Sequence, residues 1–149
     1  MNRVVAAYTL AIAGLIASAV LAAPATVSAQ APSANVPATA AEAAPFLGDW
    51  TLTMQGPDRA AAFDLTIKVD GEKVVGEISS AEVAKEFIPE AWMAEKTFRM
   101  RYSFNYQGNP IDGVISLTPG ADKVDAHIDF ANGAYVMTGT AAKKGAAKP

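Results

Sequence analysis

The chain has no cysteine and a single histidine among its 149 residues. Without cysteine there is no disulfide framework, no thiolate metal site, no cysteine nucleophile and no lipidated cysteine anchor. His127 is then the only imidazole, so a Ser-His-Asp device has one candidate base. Charge is also sparse. Twelve Lys and Arg against 15 Asp and Glu leave a net charge of -3 and a pI near 5.1, which removes the clustered basic surface that nucleic-acid binding rests on. Phosphate-loop, dinucleotide and zinc-protease patterns are missing, and no spacing singles out a catalytic carboxylate pair. These absences predict a protein with no catalytic residues, no cofactor, no metal centre and no nucleic-acid partner.

What is present is 51% hydrophobic, and it is unevenly spread. Arg3 is followed by an uncharged run from Val4 to Ala23 and by the small-residue pattern Val27-Ser28-Ala29. This predicts a signal peptide over residues 1–29, export to the periplasm or the medium, and no membrane span after cleavage. The alternative is an uncleaved anchor, because an uncharged run of about 20 residues can cross a bilayer. Residues 30–45 are almost all Ala, Pro, Ser, Thr and Val, with Glu42 the one charge, and are expected to be a disordered tether. Residues 143–149 (KKGAAKP) form a basic tail, expected to be solvated. The folding unit predicted between them, 46–142, holds 11 of the 12 aromatic residues.

Within that unit the dominant period is two. Phe63, Leu65, Ile67 and Val69 alternate with polar residues and end at Asp70-Gly71, a hairpin dipeptide, with Val74 and Ile78 on the return. Phe98, Met100, Tyr102, Phe104 and Tyr106 alternate with Arg99, Arg101, Ser103, Asn105 and Gln107. Ile111, Ile115 and Leu117, then Val124, Ala126, Ile128 and Phe130, then Tyr135 and Met137 carry later faces, with Gly, Pro, Asn and Asp clusters between them. Seven or eight short strands at this spacing predict an all-β, up-and-down antiparallel barrel, since closure covers both the apolar face and the edges. The stretch 80–95 breaks the rhythm. Ser79-x-x-Glu82 has the form of a capping box, and Pro89 interrupts, so an irregular or helical piece followed by an edge strand around Phe87 to Ala91 is expected.

The first strand opens Phe46-Leu47-Gly48-Asp49-Trp50. A Gly-x-Trp at the head of such a barrel resembles the calycin superfamily, most familiar in the lipocalins. It is closer still to the short lipocalin-like barrel domains of bacterial exported proteins, over Phe46 to about Lys144. The resemblance implies that Trp50 closes the barrel bottom and that a basic side chain, Lys143 or Lys144, lies over its ring, a contact contributing about 0.5–1 kcal/mol.

The resemblance also implies binding of a small apolar or amphipathic ligand. The candidate lumen residues are Trp50, Phe98, Tyr102, Phe104, Tyr106 and Tyr135, where a buried phenol would need a hydrogen-bond partner. An alternative is a protein-interaction module, self-associating as a homodimer or inhibiting an exported enzyme. Phe87, Trp92 and Met93 form its candidate partner patch, and the tether is similar to the reaching arm of small bacterial protease inhibitors. Arg99 and Arg101 share one strand face and suit an anion or cross-strand carboxylates. Asp125-x-His127-x-Asp129 has a spacing that could hold a divalent metal, but it falls on the solvent face.

Overall fold

The fold, taken from a computed structural model of the chain, is described over residues 35–145. The signal segment 1–29 and the end of the basic tail lie outside the described residues. Among the described residues no helix is long and apolar enough to cross a membrane. Nine strands follow a short helix: β1 (Gly48–Gln55), β2 (Ala60–Asp70), β3 (Lys73–Ser80), β4 (Glu86–Ile88), β5 (Glu90–Ala94), β6 (Thr97–Tyr106), β7 (Asn109–Pro119), β8 (Val124–Phe130) and β9 (Tyr135–Lys143). They form one antiparallel sheet in the order β4-β3-β2-β1-β9-β8-β7-β6-β5, which curls into a nearly closed barrel. The all-β, up-and-down expectation holds.

Nine strands occupy eight positions around the wall, because β4 and β5 are one run broken at Pro89. The upper half pairs with β3, Gly76 opposite Ile88, and the lower half with β6, Ala91 opposite Met100. Proline has no N–H to give to either ladder, and the change of partner falls where that donor is missing. The helical alternative for 80–95 does not form. Ser79 stays in the ladder opposite Asp64, and the Ser80 hydroxyl accepts from the backbone N–H of Glu82 at 3.2 Å and Val83 at 3.0 Å. The Ser80 N–H in turn donates to the Val83 carbonyl at 3.0 Å, so these bonds close a tight turn that leads into β4 and no helix follows.

A second difference concerns the expected tether. Thr39 caps α1 (Ala40–Ala43): its hydroxyl accepts from the Glu42 N–H at 3.3 Å, while the Glu42 carboxylate accepts from the Thr39 N–H at 2.9 Å. This is a reciprocal capping box. A single 3-10 turn, Ala44–Phe46, follows, and Ala43 (0% exposed) and Phe46 are buried in the barrel core. Upstream, Ala38 N–H donates to the Ala91 carbonyl at 2.8 Å and Pro37 bridges to Trp92, so this strip covers the free edge of β5. Residues 37–45 are therefore part of the folded unit. Alanine forms helix readily and is small enough to lie flush on a packed surface, so an Ala-rich stretch needs few large anchors to dock.

The core follows the period of two. Leu52, Met54, Leu65, Ile67, Ile88, Phe98, Met100, Ile115, Leu117 and Ile128 are all fully buried and join one continuous cluster inside the barrel. Val69, expected in this set, is partly exposed at the lower end of β2.

Candidate functional site at the barrel mouth

The two barrel ends are built differently. At the lower end Phe46 stacks on Phe98 with centroids 4.9 Å apart, and the Trp50 indole donates to the Phe46 carbonyl at 2.7 Å. Lys143 Nζ lies 5.6 Å from the Trp50 ring centroid, the contact expected of Lys143 or Lys144. Lys144 instead pairs with Asp64 at 2.8 Å. Trp50 and Phe98 are thus floor and plug, shut off from solvent by the N-terminal segment.

At the upper end the β6–β7 hairpin outruns its neighbours. β8 stops where Phe130 meets Gly113, and β5 stops where Glu90 meets Arg101, while β6 and β7 continue to the pair Tyr106 and Asn109. Phe104, Tyr106 and Ile111 share the inward parity of this projecting piece. Tyr102 and Phe104 stack at 5.7 Å, Phe104 meets Phe130 edge-on at 5.8 Å, and Phe130 tilts on Tyr135 at 6.1 Å. These contacts make a chain of four rings at the mouth. Tyr102 is buried; Phe104, Phe130 and Tyr135 are half-buried; Tyr106, 56% exposed, stands beyond the packed lumen. Tyr102 can lie across β7 because its opposite residue is Gly113, where a Cβ would come within 2.7 Å of the ring.

Two phenols at the mouth have different electrostatics. Burial pushes the Tyr102 phenol well above its ordinary range, and the Glu86 carboxylate adds to this. Tyr135 donates to Asp58 on the β1–β2 loop at 2.5 Å, a bond that lowers the Asp58 carboxyl and raises the phenol. The neighbouring Arg59 pairs with Glu82 at 2.7 Å, so the loop is tied to β9 on one side and to the turn between β3 and β4 on the other.

Of the candidate lumen residues, the structure brings Tyr102, Phe104 and Tyr135 to the mouth, places Trp50 and Phe98 at the closed end, and leaves Tyr106 outside. Phe130 and Asp58 were not singled out. Phe130 carried only the signal of a core strand, and Asp58 sits 77 positions from its partner, beyond the reach of any local pattern.

The candidate partner patch is not assembled. Phe87 points outward and is 53% exposed, and Met93 is half-buried opposite Phe98. Trp92 lies on the outer wall opposite Arg99 yet is only 6% exposed. The Pro37 bridge pairs with its backbone, and the Arg101 guanidinium lies 5.4 Å from its ring centroid. That outer wall carries a groove of about 510 Å³ across β5, β6, β7 and β8. Among the described residues no three His, Asp or Glu side chains cluster to hold a metal, Asp125, His127 and Asp129 included.

Compared with known proteins, the chain matches no family model, no curated protein and no solved structure.

Proposed function

We propose that the protein is an exported, non-catalytic, lipocalin-like barrel that binds a small apolar or amphipathic molecule at its aromatic mouth. The observation that carries this is the partly exposed ring chain Tyr102, Phe104, Phe130 and Tyr135 beneath a projecting hairpin. The lumen below is filled by the protein's own side chains, so the ligand rests on the mouth and does not descend into the barrel. Aromatic faces supply most of the contact, and the phenol of Tyr102 beside Glu86 offers a polar handle. Export is supported by the Arg3, apolar-run and Val27-Ser28-Ala29 pattern. A partner-binding module has less to rest on, since Trp92 is covered and residues 37–45 are packed on the barrel.

Titration with the neutral fluorophore N-phenyl-1-naphthylamine tests this. Wild-type protein should give a saturable rise in emission, and Phe104→Ser should weaken binding by about tenfold, the effect of removing one ring's contact area. A linear, unsaturable response, or an affinity that Phe104→Ser leaves unchanged, would refute mouth binding.

A further inference from the structure

The groove on the outer wall is separate from the mouth and has its own chemistry. Strand register sets it out in rows. Trp92, Arg99, Ser116 and His127 are directly opposite one another across β5, β6, β7 and β8. The next row is Glu90, Arg101, Val114 and Asp129, and Asp112 stands one step further up β7, opposite Ser103. The groove therefore has two cationic forks along β6 and two carboxylates toward β7 and β8, with Val114 between them.

The charges in this groove balance but do not neutralise one another. Arg99 makes no ion pair among the described residues, and Arg101 reaches only Glu90, at 3.8 Å, while covering Trp92. Asp112 accepts from the Ser103 hydroxyl and Asp129 from the Gly133 N–H at 2.5 Å, each through one oxygen, which leaves the second oxygen of each carboxylate for another donor. β6 and β8 are two strand spacings apart, roughly 10 Å between backbones, and no ion pair joins either arginine to Asp112 or Asp129 among the described residues. A lone anion would meet the two carboxylates as well as the arginines, and a lone cation would meet the reverse. A ligand with an anionic and a cationic end meets neither conflict.

We propose that this groove binds a small zwitterion about two residues long, its carboxylate held by Arg99 and Arg101 and its ammonium by Asp112 and Asp129. A two-residue peptide extends about 7 Å, and the protein side chains make up the remaining distance. Arginine suits the carboxylate end because its planar fork can engage both oxygens. The volume, about 510 Å³, is in the range of small-molecule sites and leaves room for one apolar side chain over Val114. This site stands whether or not the mouth binds a ligand.

The test uses three related probes and NMR of the full chain, read at the Trp92 indole N–H: glycyl-leucine, N-acetyl-glycyl-leucine and glycyl-leucinamide. Glycyl-leucine should saturate within about 10 mM, and each blocked derivative should bind about tenfold more weakly, having lost one charge-assisted contact. The double variant Arg99→Ala, Arg101→Ala should weaken glycyl-leucine by at least about tenfold, with an unmoved Trp50 indole signal reporting an intact barrel. The double variant Asp112→Ala, Asp129→Ala should bring glycyl-leucine and its acetylated form to similar affinity. Phe104→Ser should leave glycyl-leucine binding unchanged, whatever it does at the mouth. The proposal is overturned if the three probes bind alike, if glycyl-leucine does not move the Trp92 signal, if the double arginine variant binds normally, or if Phe104→Ser abolishes the response.

Discussion

Phe46→Ala is the perturbation that most directly tests whether the N-terminal segment belongs to the barrel. The Phe46 ring is buried and stacks on Phe98, a ring with no exposure at all. The hydrogen bond from the Trp50 indole goes to the Phe46 backbone carbonyl, so truncating the side chain leaves that bond in place. Losing a buried phenylalanine ring costs about 3–5 kcal/mol, of which the stacking with Phe98 accounts for about 0.5–1.5 kcal/mol. Against a total stability of about 5–15 kcal/mol this is a large fraction. With a urea slope of about 1.5 kcal/mol/M for a domain of this size, a loss of about 4 kcal/mol lowers the unfolding midpoint by about 2.5 M. Equilibrium urea unfolding followed by tryptophan emission measures it directly. A double-mutant cycle with Phe98→Ala should return the stacking share as a coupling energy. A midpoint shift worth less than about 0.5 kcal/mol would mean that Phe46 and the helix before it are not integral to the fold, and the plugged-barrel description would fail.

Other perturbations give sharper local readings. Gly139 lies against the Thr53 carbonyl of β1, and a Cβ there would collide with backbone, so Gly139→Ala should cost about 1–3 kcal/mol or more in the same unfolding assay. Lys143→Ala should cost only about 0.5–1 kcal/mol, the share of an exposed cation over a ring, and a larger loss would mean that the lysine stem packs the barrel floor. The Tyr135–Asp58 bond has a defined pH window. The depressed Asp58 carboxyl contributes stability above its unfolded pKa of about 4 and loses it as pH falls through the lower folded value. The raised Tyr135 phenol contributes below its unfolded pKa of about 10 and loses it as pH rises through the higher folded value. The stability difference between wild type and Tyr135→Phe should therefore be flat from about pH 5 to 9 and shrink at both extremes; a difference that grows as the pH falls below about 4 would contradict the assignment.

β1 to β3 and β6 to β9 were legible because each has one face on the core, and burial on one face writes a period of two into the sequence; β4 and β5, three and five residues long and broken at Pro89, carry no such alternation. The same short pattern, Ser or Thr followed three residues later by Glu, occurs at 39–42 and at 79–82, and only the first caps a helix. Local residues cannot distinguish them. Ser79 is held in a ladder with Asp64 from another strand, whereas Thr39 precedes alanines with no competing partner. The N-terminal segment escaped a compositional reading because its anchors are two alanines and one phenylalanine, residues that carry no periodic signal over so short a span. Trp92 shows the opposite limit. It stands in the candidate partner patch, but register puts it on the outer wall opposite Arg99, where Pro37 and Arg101 cover it, and neither contact can be read from the residues beside it. The mouth was half legible: Tyr102, Phe104 and Tyr135 stood out as aromatics, while the rim bond to Asp58 is a product of loop closure alone.

The pairing of β1 with β9 also decides when the barrel can form. Trp50 and Lys143, about 90 residues apart, sit opposite each other in that ladder, so one side of β1 stays unpaired until the final strand is available. Contacts of such long sequence separation are slow to form, and a β topology built on them folds on the scale of milliseconds to seconds. The β6–β7–β8 meander, whose contacts are local, can assemble before that. A chain stopped anywhere short of residue 135 lacks β9 and leaves that side of β1 unpaired, so it has no route to the closed barrel. If the proposed export holds, that late closure leaves the polypeptide unfolded and threadable for as long as its C-terminal strand has not been made.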